Sequence, residues 1–213
     1  NVVLGIVVAL AVAAALTGAY FAWTTRRIAR RAEAVVPRLG SIIEIDGNEI
    51  HYVERGKGRP ILMIHGLGGS LHHMRRPLME AFGDDFRLIA LDRAGSGYSS
   101  RGEGQQGTLS EQARQIAAFI DRMGLEKPLI VGHSLGGAIA LATALDYPDK
   151  VSGLALLAPL TRFEPNLPPE FKALAIASPF KRRLIANTLA VPMSMKNGPQ
   201  VLERVFGPQQ PPA

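Results

Sequence analysis

Gly132-His133-Ser134-Leu135-Gly136 is the stretch that most constrains what this chain can fold into. It follows Leu129-Ile130-Val131, an apolar run of the kind found in a buried strand. It precedes Ala138 to Leu145, a run of helix formers. A serine between two glycines at such a junction predicts a sharp strand-to-helix turn. Gly132 and Gly136 fit because side chains there would collide with the neighbouring strand and helix, while the serine itself is held in a strained backbone conformation. The turn lifts the Ser134 hydroxyl clear of the sheet. It also puts the Leu135 N–H at a helix N-terminus, where partial positive charge gathers. An ordinary turn serine is the competing reading, and strand, helix and glycines together argue against it.

The chain repeats this alternation. Ser41 to Ile45 and Glu49 to Val53 read as strands joined by the turn Asp46-Gly47-Asn48. Pro60 to His65, Phe86 to Asp92 and Val151 to Ala158 are apolar strands suited to a parallel sheet. A helix is expected near Met74 to Phe82. Thr108-Leu109-Ser110-Glu111 is a capping box, opening a helix with apolar positions at Ala113, Ile116, Ala117, Ile120 and Met123, and Gly124 ends it. Strand and helix in alternation imply β-α-β packing with right-handed crossovers. From Leu160 the character changes. Phe163 to Pro169 reads as proline-rich loop, Phe171 to Leu189 as two short helices broken at Ser178-Pro179, and Gly207 to Ala213 carries no core pattern.

Val2 to Trp23 carries no charge. Its roughly 22 residues span about 33 Å as a helix, enough for the hydrocarbon core of a bilayer. Tyr20 and Trp23 stand where interfacial aromatics are favoured, and Arg26, Arg27, Arg30 and Arg31 follow at headgroup level. A single-pass anchor is expected, with the rest of the chain cytoplasmic by the positive-inside rule. Secretion after cleavage of a signal sequence is the alternative. A buried soluble helix is a poor match for a run apolar on all sides. The formal net charge of +6 owes four units to those arginines, so no nucleic-acid face is indicated. There is no cysteine, which excludes disulfides and a thiol nucleophile. The expected division is an anchor over 1–25, a basic linker over 26–40 in which Pro37 ends any helix leaving the membrane, an α/β core over 41–159 and a partial cap over 160–213.

Two further motifs carry chemistry. His65-Gly66-Leu67-Gly68-Gly69 lies at the C-terminal end of the third strand, the end where open α/β sheets bind ligands. Its glycines let backbone N–H groups approach a developing oxyanion. Asp92-Arg93-Ala94-Gly95-Ser96-Gly97-Tyr98-Ser99 follows the next strand and shapes the same rim. A dinucleotide loop would need glycine where Leu71 stands, and no Walker lysine follows any glycine-rich loop. His72 and His73, adjacent in sequence, do not share a helix face as metal ligands would. They read as pocket-lining or solvated. Asp92 reads as a structural acceptor, and His51 as a sheet residue. No metal and no cofactor is expected.

Over Ile42 to Pro159, these three motifs in this order resemble the α/β-hydrolase superfamily. Gly132-His133-Ser134-Leu135-Gly136-Gly137 is most similar to the lipase, esterase and acylglycerol-lipase branches. An aspartate in place of Ser134 would have suggested dehalogenases or epoxide hydrolases. Ala94 departs from the proline usual in the third motif. The resemblance implies an α/β-hydrolase fold: a mostly parallel sheet with flanking helices, followed by the start of a helical cap. It implies that Ser134 attacks a carbonyl, that the N–H groups of Leu67 and Leu135 hold the oxyanion, and that water hydrolyses an acyl-enzyme. His65, Gly66, Gly68, Gly69, Gly132, His133 and Gly136 would frame the pocket. The substrate expected is a carboxylic ester, lipid esters included.

Family order is Ser, then acid, then His, and no histidine follows His133. The five histidines, His51, His65, His72, His73 and His133, all precede Ser134, so none is a triad base by order. Glu164 is a weak candidate for the acid, because a loop glutamate is ordinarily solvated surface. A first residue that is not methionine and a last one inside an apparent cap point to a fragment lacking its final strands. A complete, non-catalytic, membrane-tethered binding protein is the alternative from another class. A haloperoxidase-like or carbon–carbon bond hydrolase is the alternative among enzymes. Lys181, Arg182 and Arg183 form a solvated face or, beside Phe180, Leu184 and Ile185, a contact with lipid headgroups.

Overall fold

The structure, a computed structural model, describes residues 2–162 and 178–206. Its residues group into two compact units: Arg38–Phe163, and Asn1–Pro37 with Glu164–Ala213.

The first unit is built on six strands in the order β1-β2-β4-β3-β5-β6. β1 (Ser41–Ile45) and β2 (Asn48–Arg55) form the hairpin that the turn sequence predicts. Asp46 and Gly47 both have positive φ, which gives the strands the twist of a two-residue loop. Asn48 is buried, donates to Ile45 O and Asp46 O, and accepts from the Gly102 N–H. β2 also pairs antiparallel with β4 (Phe86–Leu91). β3 (Arg59–Ile64) lies parallel between β4 and β5 (Leu129–His133), and β6 (Gly153–Leu157) is parallel to β5.

Residues on these strands alternate between two cores, as the two-residue period of a strand requires. Leu62, Ile64, Ile89, Leu91 and Ile130 pack with Phe119, Ile120 and Ile139 from α3 (Leu109–Arg122) and α4 (Leu135–Asp146). Ile61, Met63, Leu88, Ala90 and Val131 face the other way, against Leu71, Met74 and Met79. The capping box of α3 is formed: Thr108 Oγ1 accepts from the Glu111 N–H, and Glu111 Oε2 accepts from the Thr108 and Gly107 N–H groups. Those bonds hold the Glu111 carboxyl below the usual range. The helix expected near Met74–Phe82 takes another form. One α-helical turn, α2 (His72–Met74), runs into a π-helix over Arg75–Met79. Pro77 has no backbone N–H to donate to the α-helical ladder, and a π-helix takes its place there.

In the second unit, α1 (Val2–Val35) is one helix of 34 residues, long and apolar enough to cross a membrane. It passes unbroken through Arg26–Arg31, so most of the expected 26–40 linker is helical. Alanine and arginine are strong helix formers, and the helix stops two residues short of Pro37. α5 (Pro179–Thr188) opens at Ser178, whose hydroxyl accepts from the Lys181 N–H, and α6 (Ala190–Phe206) follows. Both pack on α1, where the Thr25 hydroxyl donates to Thr188 O at 2.8 Å. The first of the two helices expected over 171–189 and the candidate acid Glu164 lie outside the described residues.

Candidate active site

Ser134 sits between β5 and α4 with φ 51° and ψ −118°, a conformation rare for any residue with a side chain. Three glycines make that bend possible. A Cβ on Gly132 would lie 2.5 Å from Gly136 O. One on Gly136 would lie 2.2 Å from Ile64 O, and one on Gly137 2.6 Å from Pro159 Cβ. The backbone fixes the turn from both sides: Ser134 N–H donates to Leu157 O at 3.0 Å, and Ser134 O accepts from the Leu160 N–H at 2.9 Å. Ser134 is half-buried and its hydroxyl has no hydrogen-bond partner among the described residues. Leu135 is the first residue of α4, so its N–H has no partner within the helix.

The glycine-rich loop after β3 reaches this turn. A Cβ on Gly66 would stand 3.1 Å from Ser134 Cβ and 3.1 Å from His133 Nδ1, so the loop backbone lies directly beside the serine. Leu67 and His133 are exposed, and Gly68 has φ +66° in open space. A Cβ on Gly69 would meet His73 Nδ1 at 2.7 Å. The motifs at 65–69 and 132–136 are thus neighbours.

His65 belongs to the scaffold of that loop. It is fully buried; its Nδ1 is 2.8 Å from Gly66 O, and its Nε2 accepts from the Arg93 N–H at 3.1 Å. That pairing places the ring proton on Nδ1, where it donates to the carbonyl. Burial, reinforced by the Arg93 charge, lowers the His65 pKa to about 4. The ring is neutral at pH 7 and unavailable as a base.

Arg93 is the residue that sequence reasoning passed over. Its guanidinium is buried and donates to His65 O (3.1 Å), Gly66 O (3.0 Å) and Gln112 Oε1 of α3 (2.7 Å). Burial lowers its pKa to about 10, which leaves it charged at neutral pH. An arginine inside a glycine-rich turn directly after a buried strand was the available signal. Such a cation cannot reach water and must find carbonyls.

Asp92 holds the neighbouring segment. Its carboxylate accepts from Leu71 N–H (2.7 Å), Tyr98 N–H (3.0 Å) and His51 Nδ1 (2.8 Å). The other ring nitrogen of His51 meets Leu39 O. Both side chains are buried, so they organise the rim and do not open onto it. His72 is half-buried with its Nε2 unpaired, and burial lowers its pKa.

The family described as alpha/beta hydrolase fold matches residues 59–183, more than half of the chain. This protein belongs to the α/β-hydrolase family. The α/β-hydrolase is similar to haloalkane dehalogenase 2 of Mycobacterium bovis, at 39% identity over 107 residues covering 50% of this chain and 37% of that one. It is similar to a putative carbamate hydrolase, RutD, of Azorhizobium caulinodans, at 35% identity over 109 residues covering 51% and 40%. Among solved structures it is similar to the meta-cleavage product hydrolase CumD of Pseudomonas fluorescens IP01 complexed with acetates. There the TM-score is 0.58 at 31% identity, covering 64% of this chain and 50% of that one. This α/β-hydrolase chain spans less than half the length of either curated relative.

Proposed function

We propose that Ser134 is the nucleophile of a membrane-anchored hydrolase that cleaves carboxylic esters by acyl transfer. Ser134 gives its hydroxyl proton to a general base as its oxygen bonds to the ester carbonyl carbon, and the N–H groups of Leu67 and Leu135 hold the resulting oxyanion. The C–O bond to the alcohol then breaks, the base returns that proton to the leaving alcohol, and water cleaves the acyl-serine to acid and free enzyme. No histidine follows His133, so none of the chain's five histidines stands after the nucleophile in the family's order. The observation that carries this reading is the backbone of Ser134 at φ 51° and ψ −118°, with the Gly66 loop against its Cβ. Strain of this kind persists where the surrounding structure enforces it, and it gathers at active sites. Anchoring by Val2 to Trp23 puts the enzyme at a lipid surface, which favours lipid esters, and the arginines after Trp23 favour the cytoplasmic side. A fluorophosphonate probe tests the nucleophile in the full-length protein. Labelling at Ser134 that disappears in Ser134→Ala is expected; undiminished labelling of that variant would refute the assignment.

The likeness to the meta-cleavage product hydrolase favours a second reading, a serine-dependent hydrolase of carbon–carbon bonds. Turnover of a meta-cleavage product in preference to simple esters would select it.

A further inference from the structure

The helices α5 and α6 pack on one end of α1 and leave an apolar surface uncovered. The covered part of α1 is Gly18, Phe21, Ala22, Thr24, Thr25, Ile28 and Ala29, most of them at the spacing of one helical stripe. That stripe begins inside the apolar run and ends beyond Arg27. The Thr25 hydroxyl fixes the level of the α5–α6 junction by donating to Thr188 O. Ile185, Thr188, Val191 and Pro192 are half-buried. Exposed on α5 and α6 are Phe180 (75%), Leu184 (53%), Met193 and Met195 (63%). The same two helices carry Lys181, Arg182, Arg183, Lys196 and Arg204 against a single acid, Glu203.

We infer that α5 and α6 form an interfacial hairpin that lies in the headgroup–acyl boundary of an anionic bilayer. This inference rests on the reading of α1 as a membrane anchor. If Val2 to Trp23 spans the hydrocarbon, Gly18 to Ala22 occupy its last turn, and anything packed on them sits at the boundary. Large apolar side chains at that level find acyl chains, and the cations beside them find lipid phosphates. Charge complementarity selects anionic lipid over a protein partner. The four arginines of α1 continue the same basic zone, with Arg27 over the Trp23 ring at 5.2 Å.

The chain contains no cysteine, so single introduced cysteines report without background. The full chain is reconstituted into phosphatidylcholine vesicles with and without phosphatidylglycerol. A fluorophore is placed at Leu184→Cys, Met193→Cys, Leu10→Cys in the anchor and Glu126→Cys on the exposed surface of the other unit. Lipids carrying a nitroxide near the top of the acyl chain quench what lies at the boundary, and deeper nitroxides quench what lies within. Labels at 184 and 193 are expected to be quenched by the shallow nitroxide and the label at 126 not. Phosphatidylglycerol is expected to strengthen the effect by about fivefold in partition per engaged cation, and Lys181→Glu with Arg183→Glu to reverse that gain. Labels at 184 and 193 that behave like 126 while label 10 is deeply quenched overturn the inference and leave the anchor standing. Labels shielded from both lipid nitroxide and aqueous iodide overturn it in favour of a second copy or another protein surface. A label at 10 that no lipid nitroxide quenches overturns the anchor itself and the inference with it.

Discussion

A methyl group decides whether the bend at Ser134 can exist. On Gly136 it would press to 2.2 Å from Ile64 O and 2.7 Å from His65 O, backbone atoms with no rotamer to escape into. Gly136→Ala is therefore expected to lower stability by about 3 kcal/mol. Gly68→Ala is the matched comparison: the site has open space, so the variant bears only the left-handed backbone cost, about 1 kcal/mol. Urea unfolding of the two variants in detergent checks the difference, and equal midpoints would contradict it. At this scale much was legible in the sequence. Gly132, Ser134 and Gly136 announced the turn because their spacing has one steric purpose. Arg93 was legible only as a cation in a glycine-rich turn, because nothing in a linear chain says which carbonyls it will meet.

Among elements, the link from Arg93 joins the ends of β3 and β4 to α3. One guanidinium fixes the carbonyls of residues 65 and 66 and the side chain of Gln112. His65, wedged beneath it, gives the link a pH signature. The folded protein holds the ring neutral down to about pH 4, whereas the unfolded chain takes up a proton near 6.5. Its contribution is complete above pH 6.5 and is lost as the pH falls toward 4, after which both states are protonated and the loss stops. Across that window the loss is about 3 kcal/mol. Unfolding free energies from pH 7 to 4, compared with those of His65→Gln, test this: the variant should show a flatter limb, and identical slopes would sink the assignment. Element boundaries followed the sequence where one signal dominated, as in the capping box at Thr108 and the Asp46-Gly47 turn. They departed from it where Pro77 set local chemistry against a helical pattern, and the chain answered with a π-helix.

For the molecule as a whole, the histidines set the limit. Every one precedes Ser134, His51 and His65 are buried in structural bonds, and no histidine follows the nucleophile in sequence. The 213-residue chain on its own is expected to turn over p-nitrophenyl esters about 10³–10⁶-fold more slowly than an ordinary esterase. Turnover at esterase rates that vanishes in Ser134→Ala would reveal a base within these residues. Architecture was the most legible scale, since alternating apolar runs and glycine turns leave few ways to build a sheet. The continuation of α1 to Val35 and its packing with α5 and α6 were less so, because basic residues serve equally well in a linker and in a helix. The placement of Arg93 has one more consequence. Since the loop at 65–69 is secured from behind, the exposed side chain of Leu67 bears none of that duty. A lineage could exchange it repeatedly, retuning what fits beside the serine, while the main chain that carries its amide stays put.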